Sequence, residues 1–224
     1  MRSVIILGTN DFSVLMKKYM DKFTNVKVMG FACHEKFIYE KEIEGYPVIS
    51  IENLAASFPP EDVEILPSIG YTKLGQLRKM LVNELRDKGY SFRSFIHPSV
   101  SFYGEEIGEG NIVLENVTFC LNSQIGNFNI VFNNSSFAHD TSIGDFNHFS
   151  PCVATSGHTT IGNHCFLGTN ATTRNHIEIS DYSFVGAGAY VSRSADSGSF
   201  IVPLESQNTP ERNRVLPEGL EGVI

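Results

Sequence analysis

An 18-residue period governs the second half of the chain. Ile107-Gly108, Ile125-Gly126, Ile143-Gly144, Ile161-Gly162 and Ile179-Ser180 recur at that interval without slippage. Between them a large apolar or β-branched residue returns every six positions: Ile107, Val113, Phe119, Ile125, Val131, Phe137, Ile143, Phe149, Thr155, Ile161, Leu167, Thr173, Ile179, Val185 and Val191. Four positions after most of these stands a small residue, such as Ser123, Ser135, Thr141, Thr159, Cys165, Ala171, Ser183 or Ala189. A period of six cannot produce an amphipathic helix, whose apolar face returns every 3.6 residues. Its multiple of 18 fits a triangular coil with three six-residue sides. Each side is then a short parallel strand whose large residue fills the interior, and the small residue fits the corner.

Hexapeptide repeats of this kind resemble the left-handed parallel β-helix, and residues 98–198 supply about five and a half coils of it. The first half reads differently. Residues 1–100 hold 13 of the 17 Lys and Arg, whereas 101–198 hold only Arg174 and Arg193. Strand signals at Val4 to Leu7, Val26 to Phe31, Val48 to Ile51, Val63 to Ile69 and Phe92 to Ile96 alternate with helical ones at Phe12 to Phe23, Asn53 to Phe58 and Tyr71 to Lys88. That alternation predicts an α/β parallel sheet, here a small Rossmann-like domain over residues 1–97. A polar, proline-containing arm is expected over 199–224.

The formal charge of -8 and pI near 5.3 argue against a broad nucleic-acid or anionic-membrane surface. No apolar run approaches the roughly 20 residues that span a bilayer, and the opening MRSVIILGTND reads as a first strand. Cys33, Cys120, Cys152 and Cys165 form no C-x-x-C pair, which predicts reduced, mostly buried thiols in a cytoplasmic protein. Packing is the default role for Cys152 and Cys165.

Flat prism faces predict a homotrimer, with ligands in the clefts between neighbouring prisms. His139, followed by Asp140, is the leading catalytic candidate, because an imidazole beside a carboxylate suits a general base. The same pair is also compatible with an ordinary surface turn. His158 and His176 lie 18 apart, so their rings are expected to stack about 4.8 Å apart in successive coils. Zinc is the sharper reading of these histidines and a solvated or coenzyme-lining ladder the plainer one. His97 and His164 read as linker and corner residues. Gly8-Thr9-Asn10-Asp11-Phe12-Ser13 is not G-x-G-x-x-G, so helix capping by Thr9, Asn10 or Ser13 competes there with anion binding.

The stretch SSFAHDTSIGDFNHFSPCVATSGHTTIGNHCFLGTNATT, with IHPSV at the junction, resembles the bacterial hexapeptide-repeat sugar acyltransferases. Members similar to it include the sialic-acid O-acetyltransferase and the UDP-4-amino-sugar N-acetyltransferase of bacillosamine synthesis. The resemblance runs from Val4 to about Val202. It implies an acetyl-CoA-dependent transfer to an amino group on a nucleotide-linked deoxysugar, by direct attack in a ternary complex and without a metal. It implies His139 as general base and Asp140 as the acid that raises its basicity. His148 and the Gly157 N–H would face the acyl thioester, and Thr169 and Ala187 would line the pantetheine channel between two subunits. Gly8, Asn10, Asp11, Phe12 and Gly70 would lie at the acceptor site. A hydroxyl acceptor and a non-catalytic trimeric binding module are the competing readings. The chain departs from the family pattern at Asn10-Asp11-Phe12-Ser13, where a glycine-rich loop with a histidine is usual. It departs again at Cys33-His34, the place of an acidic pair, and at Ile201-Val202-Pro203-Leu204-Glu205, the place of a G-x-P-A-K ending.

Overall fold

The computed structural model of the protein describes residues 2–203. Its first part is a six-stranded sheet with helices between strands. In chain order the elements are β1 (Ser3–Leu7), α1 (Asp11–Phe23), β2 (Val28–Cys33), β3 (Glu42–Ile43), β4 (Tyr46–Ser50), α2 (Leu54–Ser57), β5 (Val63–Pro67), α3 (Gln76–Asp87) and β6 (Ser91–Phe92). The spatial order is β3-β4-β2-β1-β5-β6, and every pair is parallel except β3 with β4. The loop expected around Gly45-Tyr46-Pro47 is therefore the turn of a short antiparallel hairpin, with left-handed backbone at Glu44 and Gly45.

β1 explains the layering. Val4 and Ile6 point to one side and Ile5 and Leu7 to the other, and all four are fully buried, as a parallel strand covered on both faces requires. Ile5 and Leu7 pack with Leu81, Val82 and Leu85 of α3, whereas Val4 and Ile6 pack with Met16 and Met20 of α1. α1 is capped by the Asn10 side chain, which accepts from the Ser13 N–H at 3.0 Å.

From Phe95 the chain winds as a prism of two-residue strands in three parallel sheets. The first face stacks Phe95–Ile96, Ile112–Val113, Ile130–Val131, His148–Phe149, Phe166–Leu167, Phe184–Val185 and Phe200–Ile201. The second stacks Ser101–Phe102, Thr118–Phe119, Ser136–Phe137, Ala154–Thr155, Thr172–Thr173 and Tyr190–Val191, and the third runs from Glu106–Ile107 to Glu178–Ile179. Each strand pairs with its counterpart 18 residues on through most of the stack, for example Phe119 with Phe137 and Ile125 with Ile143. These are the stacked parallel sheets that a left-handed β-helix demands, and the six-residue series from Val113 to Val191 forms its buried core.

Corners are made by left-handed residues, again every six positions: Asn116, Asn122, Phe128, Asn134, Asp140, Phe146, Cys152, His158, His164, Asn170, His176 and Tyr182 all have φ between 55° and 62°. The residue after each corner points inward, which is why positions such as Ser123, Ser135 and Thr141 are small and buried. Cys152 occupies a corner itself and is exposed, contrary to the packing expected of it, whereas Cys165 follows a corner and is buried.

The run Phe92 to Ile96 is split between the two bodies. Ser91–Phe92 closes the first sheet beside β5, and Phe95–Ile96 pairs with Ile112–Val113 of the prism. α3 also begins later than its apolar spacing suggests, because Lys73, Leu74 and Gly75 all take left-handed backbone. The two bodies share apolar cores: Phe95, Ile112, Leu114 and Ile130 pack with the α1 side of the sheet, and Phe128 and Phe146 with the α3 side.

Candidate active site

Asn122, Asp140, His158 and His176 occupy one corner of four successive coils, between the second and third faces. The 18-residue register stacks them. His139 precedes Asp140 and folds back onto it, so that Nδ1 lies 2.6 Å from Asp140 Oδ2. The Asn122 amide donates to the other carboxylate oxygen at 3.0 Å, and His158 Nε2 lies 3.7 Å from Oδ2. The hydrogen bond from His139 first, then that from Asn122, holds the Asp140 carboxyl below its usual range. A carboxylate can only accept, so Nδ1 of His139 is the donor in this contact, and in the neutral imidazole the lone pair is on Nε2.

Gly157 lies under this ring. A Cβ there would stand 2.6 Å from both Cε1 and Nε2 of His139, so the absence of a side chain is what admits the imidazole. His158 meets His139 edge-on at 5.1 Å and stacks on His176 at 4.4 Å, which realises the ladder expected from the spacing. Sequence reasoning missed Asn122 and the approach of His158 to Asp140. The signal was present, since 122, 140, 158 and 176 are one 18-residue series.

The other site candidates stand elsewhere on the molecule. Thr169 and Ala187 share the corner between the first and second faces, where Gly188 N–H donates to Thr169 O at 2.8 Å. His148 belongs to the first face, and the corner that carries His139 is opposite that face in a triangular prism. One copy of the chain therefore keeps His139, Asp140 and Gly157 apart from His148.

His148 is buried. Its ring stacks on Phe166 at 5.4 Å and meets Tyr71 edge-on at 5.1 Å, and its Nδ1 has no partner among the described residues. Burial first, then the nearby Arg78 charge, pushes its pKa from 6.5 to about 3. The unfolded chain thus takes up a proton below about pH 6.5 that the folded chain refuses until about pH 3. Stability is expected to fall as pH drops through that window, by up to about 1.4 kcal/mol per pH unit. Urea unfolding of His148→Phe against the wild type at pH 7 and pH 5 checks this: the variant should lose less stability on acidification, and equal losses would contradict it.

The loop carrying Tyr71 is fastened by Arg78, a fully buried residue of α3. Its guanidinium donates to the carbonyls of Ile69 (2.6 Å), Gly70 (2.9 Å), Phe128 (3.0 Å), Phe146 (2.9 Å) and Asn147 (3.0 Å). Gly70 is thus an acceptor in the joint between sheet and prism. His164, a corner residue as expected, joins the same seam, with Nδ1 3.0 Å from the Leu74 carbonyl.

At the carboxyl ends of β1 and β2 a 260 Å³ cleft is lined by Gly8, Thr9, Asn10, Cys33, His34, Phe37 and apolar neighbours. A second cleft of 310 Å³ shares Thr9 and Phe37 and adds Asp11, Tyr39 and Glu40. Phe12 instead packs on Phe132 of the prism, 5.4 Å between ring centres. His34 is held by Glu52 at 2.9 Å and Glu84 at 3.2 Å. Glu52's own backbone N–H, then His34, hold the Glu52 carboxyl at about 2.

No protein-family model and no curated protein sequence matches the chain. Solved structures do. The acetyltransferase domain of PglB from Neisseria gonorrhoeae is 22% identical, with a TM-score of 0.78 over 91% of this chain and 97% of that one. PerB from Caulobacter crescentus, solved in complex with CoA and GDP-perosamine, is 23% identical, with a TM-score of 0.80 over 92% and 96%. WeeI from Acinetobacter baumannii is 23% identical, with a TM-score of 0.78 over 91% and 97%. The chain shares their fold. The likeness covers both the sheet and the prism, so the joining of these two bodies is part of what is shared.

Proposed function

We propose that the protein is an acyl-CoA-dependent N-acyltransferase that uses acetyl-CoA and acetylates an amino group on a nucleotide-linked deoxysugar. The observation that carries the reading is the His139–Asp140 pair, set over Gly157 on a fold shared with PerB, whose structure holds CoA and GDP-perosamine. Residues 1–97 act as a small Rossmann-like acceptor-binding domain and residues 98–198 as a left-handed β-helix that carries the transfer chemistry. Most of the arm expected over 199–224 lies outside the described residues.

Asp140 fixes the tautomer and orientation of His139, so that Nε2 takes the proton from the acceptor amine as nitrogen attacks the thioester carbon. The Gly157 backbone N–H stabilises the oxyanion, such a donor being worth roughly 3 kcal/mol. The thiolate of CoA then leaves, and no acyl-enzyme forms.

The separation of His139 from His148 within one copy supports a homotrimer. A neighbouring subunit brings its acceptor cleft and the edge of its first face, where Tyr71 covers His148, toward the His139 corner, and Thr169 and Ala187 flank the pantetheine arm in the groove so formed. The cytoplasm, where acetyl-CoA and nucleotide sugars are made, is the matching location. Titration with acetyl-CoA by calorimetry tests the reading: one site per chain is expected, and no binding would replace it with a catalytically idle trimeric module.

A further inference from the structure

The corner that positions His139 also assembles a set of metal ligands. Asp140 and His158 hold equivalent places in successive coils, with φ of 57° and 56°, so the coil register fixes their separation. His139 Nδ1 and His158 Nε2 both converge on Asp140 Oδ2, at 2.6 and 3.7 Å. One ligand atom from each of the three lies within 4.8 Å of the others. A tetrahedral zinc with ligands at 2.0–2.2 Å holds them about 3.3 Å apart, so small side-chain rotations close the site. His176 backs the His158 ring and Asn122 holds the second carboxylate oxygen, so the ligands are supported from behind. In the single chain the His139, Asp140 and His158 side chains are 59%, 33% and 47% exposed, so no residue of the same chain closes the remaining coordination position. Two imidazoles and one carboxylate favour zinc and its neighbours over magnesium or calcium, which take oxygen ligands.

We propose that His139, Asp140 and His158 bind a zinc-class divalent ion, and that the bound ion inhibits acyl transfer. The ion takes the place of the proton shared between His139 and Asp140 and holds the imidazole away from the acceptor amine. The inhibitory half rests on His139 being the base; the binding half does not.

Zinc chloride is titrated into EDTA-stripped, tag-free protein by calorimetry, with acetyl transfer followed in parallel. One zinc per chain is expected. His158→Asn, which keeps a residue tolerant of left-handed backbone, should bind at least tenfold more weakly, and His176→Asn, which keeps all three ligands but removes the ring behind His158, should fall between it and the wild type. Zinc should inhibit transfer with a midpoint matching its binding, EDTA should reverse this, and His158→Asn should need at least tenfold more zinc. Unchanged affinity in His158→Asn, or the absence of a one-to-one site, would overturn the binding proposal. Zinc bound at this site without inhibition would overturn its inhibitory half. Zinc binding by a protein that transfers no acetyl group would instead sink the functional reading and leave the metal site standing.

Discussion

His139→Ala is expected to lower acetyl transfer by about 10²–10⁴-fold, the range over which a positioned general base accelerates a reaction. The side chain is more than half exposed and makes its hydrogen bond to the adjacent Asp140, so its removal leaves the coil core of Phe137, Thr155 and Ile143 intact. Circular dichroism and sedimentation should therefore match the wild type while turnover collapses. Asp140→Asn should produce a smaller loss in the same direction. Asparagine tolerates the left-handed corner, but its amide no longer enforces the tautomer that leaves Nε2 free. An undiminished rate in His139→Ala would remove His139 from the mechanism.

Arg78→Met should be the most destabilising single change in the seam between sheet and prism. Methionine approximates the stem of arginine but takes the guanidinium from five buried or half-buried carbonyls, those of Ile69, Gly70, Phe128, Phe146 and Asn147, of which Asn147 still accepts from the Ile130 N–H at 3.0 Å. Burial pushes the guanidinium down to about 9, which still leaves it charged at neutral pH. Arg78 faces carbonyl oxygens, so the charge is met by dipoles. A loss of about 3–5 kcal/mol is expected, because several buried acceptors are left unsatisfied at about 1–3 kcal/mol each. Urea denaturation measures it, and a change below about 1 kcal/mol would show that the seam does not depend on Arg78. Because the same side chain fastens the loop bearing Tyr71, the variant should also expose His148 and weaken the acid sensitivity described above.

The prism was legible because its constraint is local and repeated. A six-residue series can satisfy only one register, so Phe119, Phe137 and Ile143 were assignable to the interior, and the stacking of His158 on His176 followed from arithmetic. The sheet was legible in its alternation but less so in its edges. Phe92 and Phe95 fall in one strand-like stretch, yet they serve different bodies, and the stretch divides at the polar Arg93-Ser94 between them, which an exposed strand face could equally carry. Left-handed backbone at Lys73 and Leu74 delays α3 although neither residue type favours it.

Contacts between the bodies were not legible. Arg78 on an amphipathic helix reads as a solvated charge, and His148 reads as an outward strand residue. The burial of both arises where the loop at 69–75 lands on the prism, a meeting of residues more than 60 positions apart. Within the site, the spacing was sufficient to align Asn122 with Asp140, whereas the fit of Gly157 beneath the His139 ring depends on the corner geometry.

The central claim is transfer of an acetyl group to a nucleotide-linked amino sugar. Purified protein incubated with acetyl-CoA and a panel of UDP-, dTDP- and GDP-linked 3-amino and 4-amino sugars, with free CoA and product mass followed together, tests it most directly. The account predicts release of CoA matched by the mass gain of one acetyl group on an amino-sugar member of the panel, and no gain on its hydroxyl counterpart. Acetylation of the hydroxyl counterpart alone, or coenzyme binding with no product from any amino sugar, would contradict it.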